Sequence, residues 1–139
     1  MVNKILAGID EVGRGCLAGP VVSCALILKK NINKKFLKDS KTIRFKDRIE
    51  IAEHIKKNSW YAIGSASVNE IDKYNIFNAT LLSMERAVKK LKKKPHLFLV
   101  DGTHAPKKLK NSKTVVKGDQ KIKCISAASI VAKVYRDLY

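Results

Sequence analysis

The sequence predicts an α/β fold, in which short apolar strands and amphipathic helices form one domain over residues 1–139. Two observations predict it. Short apolar runs rich in Val, Ile and Leu recur along the chain, bounded by turn residues, as is typical of buried strands. Between them lie longer segments whose apolar residues repeat at spacings of three and four, the period of a helix packed on a sheet.

The first strands flank a glycine-rich turn. Residues 4–10 and 20–28 each predict a strand, and residues 13–19 form the turn that makes the two antiparallel. After a basic loop, Thr42 predicts the N-cap of a helix that ends near Lys57. The apolar face of this helix consists of Phe45, Ile49, Ala52 and Ile55.

The second half of the chain repeats this alternation. Residues 60–68 predict a third strand, and residues 75–93 predict a long amphipathic helix that Pro95 stops. Residues 97–100 and 114–116 predict two more short strands. Ser126 predicts the N-cap of a last helix, whose inner face consists of Ala127, Val131, Val134 and Leu138.

The charge balance indicates a polyanionic partner. The chain has 29 Lys and Arg against 12 Asp and Glu, a net charge of +17, which attracts phosphate groups. The alternative is a basic surface that only keeps the protein in solution. Cys16, Cys24 and Cys124 are odd in number and lack C-x-x-C spacing, which argues against disulfides and zinc and favours the cytoplasm. The apolar runs are too short for a signal peptide or membrane span.

Carboxylates follow three of the predicted strands. Asp10 and Glu11 end the first, Asp101 ends the fourth and Asp119 follows the fifth. If these strands are parallel, the acids meet at one edge of the sheet. Grouped carboxylates repel one another unless a cation binds them, and oxygen ligands suit Mg²⁺ or Mn²⁺. Each acid alone could be a turn or cap residue, but their joint placement favours metal-assisted phosphoryl chemistry.

A Gly-Arg-Gly segment follows the first acids. Gly13 and Gly15 can adopt positive φ and let the backbone approach a ligand, and Arg14 supplies a donor suited to phosphate. The three histidines have no metal-site spacing, so we interpret them as a helix-surface residue and two loop residues. They are His54, His96 and His104.

Short motifs spread over the whole chain occur in a characteristic order. They are Asp-Glu-Val-Gly-Arg-Gly at 10–15, Gly-Pro-Val-Val at 19–22, Asp-Ser-Lys at 39–41, Asn-Ile at 75–76 with Ala-Thr at 79–80 and Met84, Val-Asp-Gly at 100–102, Lys-Gly-Asp at 117–119 and Ser-Ala-Ala-Ser-Ile-Val-Ala-Lys-Val-Tyr-Arg-Asp at 126–137. In this order they resemble bacterial type 2 ribonuclease H.

The resemblance implies a fold and a reaction. The fold is RNase H-like, a mixed five-stranded sheet flanked by helices. The reaction is endonucleolytic cleavage of the RNA strand of RNA–DNA hybrids, with incision 5′ of single ribonucleotides in duplex DNA, leaving a 3′-hydroxyl and a 5′-phosphate. By the same resemblance two Mg²⁺ or Mn²⁺ ions are held by Asp10, Glu11, Asp101 and Asp119.

The resemblance also implies roles for basic residues and a cellular setting. Gly13, Arg14 and Gly15 match the segment that reads the ribose 2′-hydroxyl, the group that distinguishes RNA from DNA. Asp137 matches a structural acid paired with a base. The expected partners are RNA–DNA hybrid and ribonucleotide-containing duplex DNA. We expect the protein to act in the cytoplasm, in replication and repair, as a monomer that needs neither a protein partner nor a membrane. The residues expected to contact backbone phosphates are Lys41, Lys117, Lys133 and Arg136.

One departure from the family concerns the end of the chain. Family members continue past the last motif into a helical segment whose tyrosine engages the ribose, and neither Tyr135 nor Tyr139 matches that residue. We therefore expect one catalytic domain without this segment, which binds metal and hybrid weakly and cleaves poorly. The alternatives are a non-catalytic module that binds hybrid or RNA, and a resolvase-like nuclease on the same fold.

Overall fold

The computed structural model describes residues 4–14, 19–29 and 44–138. Five strands and four helices form in these ranges. In chain order they are β1 (Leu6–Val12), β2 (Val21–Leu28), α1 (Phe45–Lys57), β3 (Ser59–Ala66), α2 (Val68–Lys90), β4 (Leu97–Asp101), β5 (Ser112–Val115), α3 (Gly118–Lys121) and α4 (Lys123–Asp137).

All five strands join one mixed sheet in the order β3-β2-β1-β4-β5. β1 pairs antiparallel with β2, and β2 antiparallel with β3. β4 runs parallel to both β1 and β5. The predicted mixed five-stranded sheet is therefore confirmed, and so is the antiparallel relation of the first two strands. Because β1, β4 and β5 are parallel, they end at the same edge of the sheet.

Helices cover both faces of this sheet. On one face, α1 and α4 pack against the side chains of Val22, Cys24 and Leu26. On the other, α2 packs through Met84 and Ala87 against β1, β2 and β4. Across the described ranges every helix is too short or too polar to cross a bilayer.

Two glycines allow the helices to lie directly on the strands. A Cβ at Gly8 in β1 would overlap the backbone of Cys124 and Ile125 in α4. A Cβ at Gly64 in β3 would overlap the backbone of Ser83 and Ala87 in α2. The close approach of each helix therefore requires a strand residue without a side chain.

Helix α2 consists of two segments. Ser67 and Glu70 form a capping box in which each side chain accepts the other's backbone N–H. The helix breaks at Asn75, whose φ of 71° and ψ of 166° are non-helical, and the Asn75 Oδ1 accepts the backbone N–H of Asn78 at 2.9 Å. The predicted start at residue 75 matches the second segment. The prediction missed residues 68–74, which the Ser-x-x-Glu signature could have indicated, and the helix ends at Lys90 rather than near residue 93.

Two predicted helix starts and one strand end are wrong. α1 begins at Phe45 with Arg44 as the N-cap residue, and Thr42 lies outside the described residues. α4 begins at Lys123, and Ser126 is buried inside it, its backbone N–H donating to the Ile122 carbonyl at 2.9 Å. This helix starts a turn early because Cys124 and Ile125, its second and third residues, pack against the sheet. β5 ends at Val115, not at residue 116.

Candidate active site

Asp10 lies near the end of β1, in the middle of the sheet, and is only 4% exposed. Burial, with the nearby charges of Glu11 and Asp101, raises the pKa of Asp10 to about 9. Two hydrogen bonds oppose this rise only in part, one from the Glu11 backbone N–H at 2.8 Å and one from the Ser129 side chain of α4. Burial also raises the pKa of Glu11, against the opposing charge of Arg14. The ionised pair therefore needs a cation.

Asp101 ends β4, the strand beside β1. Its Oδ1 accepts the backbone N–H groups of Gly118 at 2.6 Å and Asp119 at 3.4 Å. Lys117, in the left-handed region with a φ of 55°, turns the chain so that these N–H groups face the carboxylate. A Cβ at Gly118 would lie 2.6 Å from the terminal methyl of Ile125, so a side chain there would displace this methyl group. The orientation of Asp101 is thus set by the backbone after β5.

Asp119 reaches this edge by a different route from the predicted one. We expected it directly after the fifth strand, but it lies in the first turn of α3, with two turn residues between β5 and that helix. Its backbone N–H rather than its carboxylate makes the contact with Asp101. The carboxylates of Asp10, Glu11 and Asp101 are therefore close enough for their charges to interact. Asp119 lies beside Asp101 through a contact of its backbone N–H.

A cavity of about 420 Å³ opens at this edge of the sheet. Glu11 and Asp101 supply its acids and Arg14 its cation, while neither Asp10 nor Asp119 lines it. Its remaining wall comes from the second segment of α2 and from the loop after β4. The lining residues from these two parts are Phe77, Thr80, Leu81, Met84, Gly102, Thr103 and His104.

The chemistry of these acids fits a divalent cation. The Glu11 Oε2 is buried and accepts no hydrogen bond, and Asp10 is buried beside two other carboxylates. A buried carboxylate oxygen without a donor is costly unless a cation meets it, and oxygen ligands suit Mg²⁺ or Mn²⁺. Within the described ranges, however, no three acids, histidines or cysteines are grouped closely enough to hold a metal ion.

A side chain of α4 packs against the glycine segment that follows β1. Gly13 has a φ of 106°, and a Cβ there would lie 2.7 Å from both the Arg136 Nε and the Pro20 carbonyl oxygen. The Arg136 Nε donates to this carbonyl at 2.9 Å. Arg136, predicted to contact phosphate, thus packs beneath the segment that presents the exposed Arg14 to the cavity. Gly15 lies outside the described residues.

Two of the other three predicted basic residues lie in the described part of the chain. Lys117 is exposed immediately before α3, Lys133 is half-buried on α4, and Lys41 lies outside the described residues. The predicted pairing of Asp137 with a base is confirmed, since its Oδ2 lies 3.4 Å from Nη1 of the buried Arg48. This ion pair joins α1 to α4.

Sequence reasoning missed part of the cavity wall. The Phe77 and His104 rings meet edge to face, with centroids 4.9 Å apart and planes at 87°. The Thr103 Oγ1 lies 2.9 Å from the His104 Nδ1. His104 is in a loop, as interpreted, but it faces the cavity. The signal that could have found it is its position three residues after Asp101. Ser129, within the alanine-rich motif, gave no sign of its bond to Asp10.

The fold defines the class to which this protein belongs. It is similar to the ribonuclease H2 of Pyrococcus horikoshii OT3, with a TM-score of 0.83 and 26% identity over 96% of this chain and 72% of that one. It is also similar to Bst-RNase HIII, solved in complex with Mn²⁺, with a TM-score of 0.79 and 19% identity over 97% of this chain and 52% of that one. The fold is therefore that of the ribonucleases H.

The particular family follows from the sequence relatives. The Ribonuclease HII family model matches residues 7–139. A Ribonuclease HII of Pelagibacter ubique (strain HTCC1062) is 59% identical over 98% of this chain and 74% of its own length. That of Macrococcus caseolyticus (strain JCSC5402) is 47% identical over 97% of this chain, which spans 51% of that relative. This chain belongs to the ribonuclease HII family of endoribonucleases.

Proposed function

We propose that this chain is the catalytic domain of an endonuclease that cleaves the RNA strand of RNA–DNA hybrids. It would also incise duplex DNA on the 5′ side of single ribonucleotides, leaving a 3′-hydroxyl and a 5′-phosphate. The observation that carries the proposal is the group of buried, mutually repelling acids at the sheet edge of a strongly basic chain. Membership of the ribonuclease HII family supports the same reaction.

In this proposal Asp10, Glu11, Asp101 and Asp119 hold two Mg²⁺ or Mn²⁺ ions. When bound, such ions activate water on one side of a phosphodiester and stabilise the leaving oxygen on the other. The chain's own residues prepare this site. The N–H groups of Gly118 and Asp119 orient Asp101, and the Ser129 side chain orients Asp10. The unsatisfied Glu11 Oε2 provides a ligand atom without first losing a hydrogen bond.

The segment that follows Asp10 and Glu11 is proposed to recognise the substrate. Gly13, Arg14 and Gly15 would approach the ribose 2′-hydroxyl, supported by the position of Arg14 at the cavity and of Arg136 beneath Gly13. Backbone phosphates would be contacted by Lys41, Lys117, Lys133 and Arg136. The net charge of +17 supports this assignment as a group, because phosphate contacts need cations and not a particular sequence.

The setting of the reaction is part of the proposal. The chain would act as a monomer in the cytoplasm, in replication and repair. The described cysteines, Cys24 and Cys124, are buried free thiols, which fits a reducing compartment.

A second candidate function is binding of hybrid without cleavage. The observation that favours it is the net charge of +17, which by itself supports phosphate contacts without any chemistry. Both functions predict salt-dependent binding, so only metal-dependent cleavage separates them.

The deciding experiment uses a labelled DNA duplex with one ribonucleotide, incubated with Mn²⁺, Mg²⁺ or EDTA. An all-DNA duplex of the same sequence is the control, and a continuous RNA–DNA hybrid is the second substrate. We expect a metal-dependent cut on the 5′ side of the ribonucleotide and none in the control. Binding of hybrid without any cut, at every metal concentration, would contradict the nuclease assignment and support the binding function.

A further inference from the structure

A basic aromatic cluster lies at the end of the sheet away from the acids. Its centre is Trp60, the sole tryptophan of the chain, on the edge strand β3 and 37% exposed. The ammonium of Lys29 lies 4.9 Å from the centroid of this indole, and that of Lys93 lies 5.0 Å from it. We refer to Trp60, Lys29 and Lys93 as the Trp60 cluster.

Strand register separates the Trp60 cluster from the candidate active site. Asp10 is opposite Cys24 of β2, whereas Trp60 is opposite Ile27 of the same strand. Trp60 therefore lies about 10 Å further along the sheet than Asp10, as well as two strands away. Lys93 precedes β4, whose other end carries Asp101. The cluster is thus near the end where β1 and β4 begin.

Local structure explains how the cluster forms. Side chains alternate along a strand, so Trp60 shares a face with Gly64, which packs under α2. Helix α2 ends at Lys90, before it would cover the indole, and the chain beyond it brings Lys93 to the ring. Lys29 comes from the other side, at the end of β2, where its backbone N–H donates to the Asn58 carbonyl at 2.8 Å.

Stability of the helix end does not account for this arrangement. Cations in the last turn favour the helix dipole, which explains Lys89 and Lys90. Lys93 lies beyond that turn, and Lys29 follows the end of β2. The two ammonium groups repel each other within about 10 Å, and no ion pair to either is recorded in the part of the chain that the structure describes. Five of residues 89–94 are lysine, which adds to the local positive potential.

We propose that the Trp60 cluster is a second nucleic-acid site that binds single-stranded nucleic acid. Both ammonium groups lie over the indole ring as cation–π contacts. A base would stack on the exposed indole in place of an ammonium group, and the two lysines would then contact the flanking phosphates. Aromatic stacking combined with cationic contacts is the chemistry by which proteins bind single strands without reading sequence. An acidic peptide would match the charge but offers no base to stack. The site is independent of the proposed cleavage, since none of its residues lines the cavity.

Trp60 emission reports directly on this site, because the chain has no other tryptophan. The full chain is titrated with a short oligothymidylate in EDTA at low salt. We expect saturable quenching, and the same quenching in Asp10→Asn. The double variant Lys29→Gln, Lys93→Gln should need about tenfold more oligonucleotide for half-saturation. The matched control is the double variant Lys107→Gln, Lys113→Gln, which removes two exposed lysines. It should change the oligonucleotide concentration for half-saturation by less than about threefold.

Substitution of the indole tests stacking separately from charge. With a fluorescent oligonucleotide, Trp60→Phe should keep most of the affinity and Trp60→Leu should lose about fivefold or more. Circular dichroism checks that each variant is folded. Three results would overturn the proposal: equal affinity of the two Trp60 variants, equal loss from both lysine pairs, or quenching by polyglutamate at the same concentration as by the oligonucleotide.

Discussion

Asp10 shows how a residue that is proposed to hold a metal ion can cost stability. It is buried beside Glu11 and near Asp101, and its hydrogen bonds do not offset the loss of water. A carboxylate in such a place is stabilised by its proton or by a cation. Burial makes the metal-free ionised form unfavourable, and in the proposed function a divalent ion would stabilise that form.

The raised pKa of Asp10 predicts how stability depends on pH. The folded pKa of about 9 exceeds the ordinary pKa of 3.8 for an aspartate, so between these values the folded state binds more protons than the unfolded state. Stability is therefore greatest at low pH with respect to this group and falls as pH rises toward 9. One proton accounts for a slope of up to about 1.4 kcal/mol per pH unit.

Urea unfolding in EDTA at a series of pH values measures this slope. We expect Asp10→Asn to flatten the curve between pH 5 and 8. Addition of Mn²⁺ should raise the stability of the unmodified chain most at high pH, where protons compete least. An unmodified chain whose stability does not fall over this range would show that Asp10 is ionised without a cation.

Loss of the same carboxylate should separate cleavage from binding. In Asp10→Asn we expect cleavage of the ribonucleotide-containing duplex to fall by at least about a hundredfold, since even indirect support of a metal ligand is worth up to that much. Hybrid affinity should change less than about threefold, because the phosphate-contacting cations remain. Gel assays of cleavage and binding measure both quantities. The matched control is Asp72→Asn, an exposed acid on α2, and equal cleavage by the two variants would contradict the metal-ligand role.

At the scale of elements, contact between helices and sheet depends on small residues. Gly8 and Gly64 allow α4 and α2 to approach the strands at the backbone itself. Both contacts bear on the site, because α4 carries Ser129 and Arg136, and α2 carries Phe77. Packing under these helices therefore positions the cavity walls as well as the core.

Gly64→Ala tests this close approach. The added Cβ would overlap backbone atoms of α2, which cannot rotate away as a side chain can, so α2 must shift. We expect a loss of about 3 kcal/mol in the free energy of unfolding, the upper part of the range for overpacking. Urea unfolding measures it, with the exposed neighbour Ser65→Ala as the control. A loss below about 0.5 kcal/mol would show that α2 adjusts freely.

At the scale of the whole molecule, charge dominates association. A net charge of +17 is spread over a chain whose described acids gather in part at the sheet edge. In the proposed reaction, the positive field would draw nucleic acid to the surface, and the acids would attract divalent ions to this edge of the sheet. Both charges would then favour the same complex of protein, metal ions and nucleic acid.

Salt should weaken the binding of hybrid steeply. If about six phosphates are contacted, affinity should fall about a thousandfold between 50 and 200 mM salt. Fluorescence anisotropy with Asp10→Asn, which does not cleave the probe in this proposal, measures the slope. A nearly flat dependence would contradict binding through phosphates and would point to contacts with bases or sugars instead.

Much of the fold could be predicted because it depends on local pattern. Apolar runs located the five strands, and their positions held within a few residues. Helix starts were less predictable. The start of α4 depends on the burial of Cys124 and Ile125 against the sheet, a contact that no local signal at Ser126 reveals. The break at Asn75 likewise required its backbone conformation, not its spacing.

The sequence by itself determined the strands, the acids that follow them and the basic charge, because periodicity and composition are local properties of the chain. It also carried the ordered motifs that indicate the family. Only the tertiary structure decided how the acids meet: Asp101 is oriented by backbone N–H groups after β5, and Asp10 by α4. It alone placed His104 at the cavity and two lysines at Trp60. The reason is that such contacts join residues far apart in the chain, and their positions depend on packing of the complete sheet.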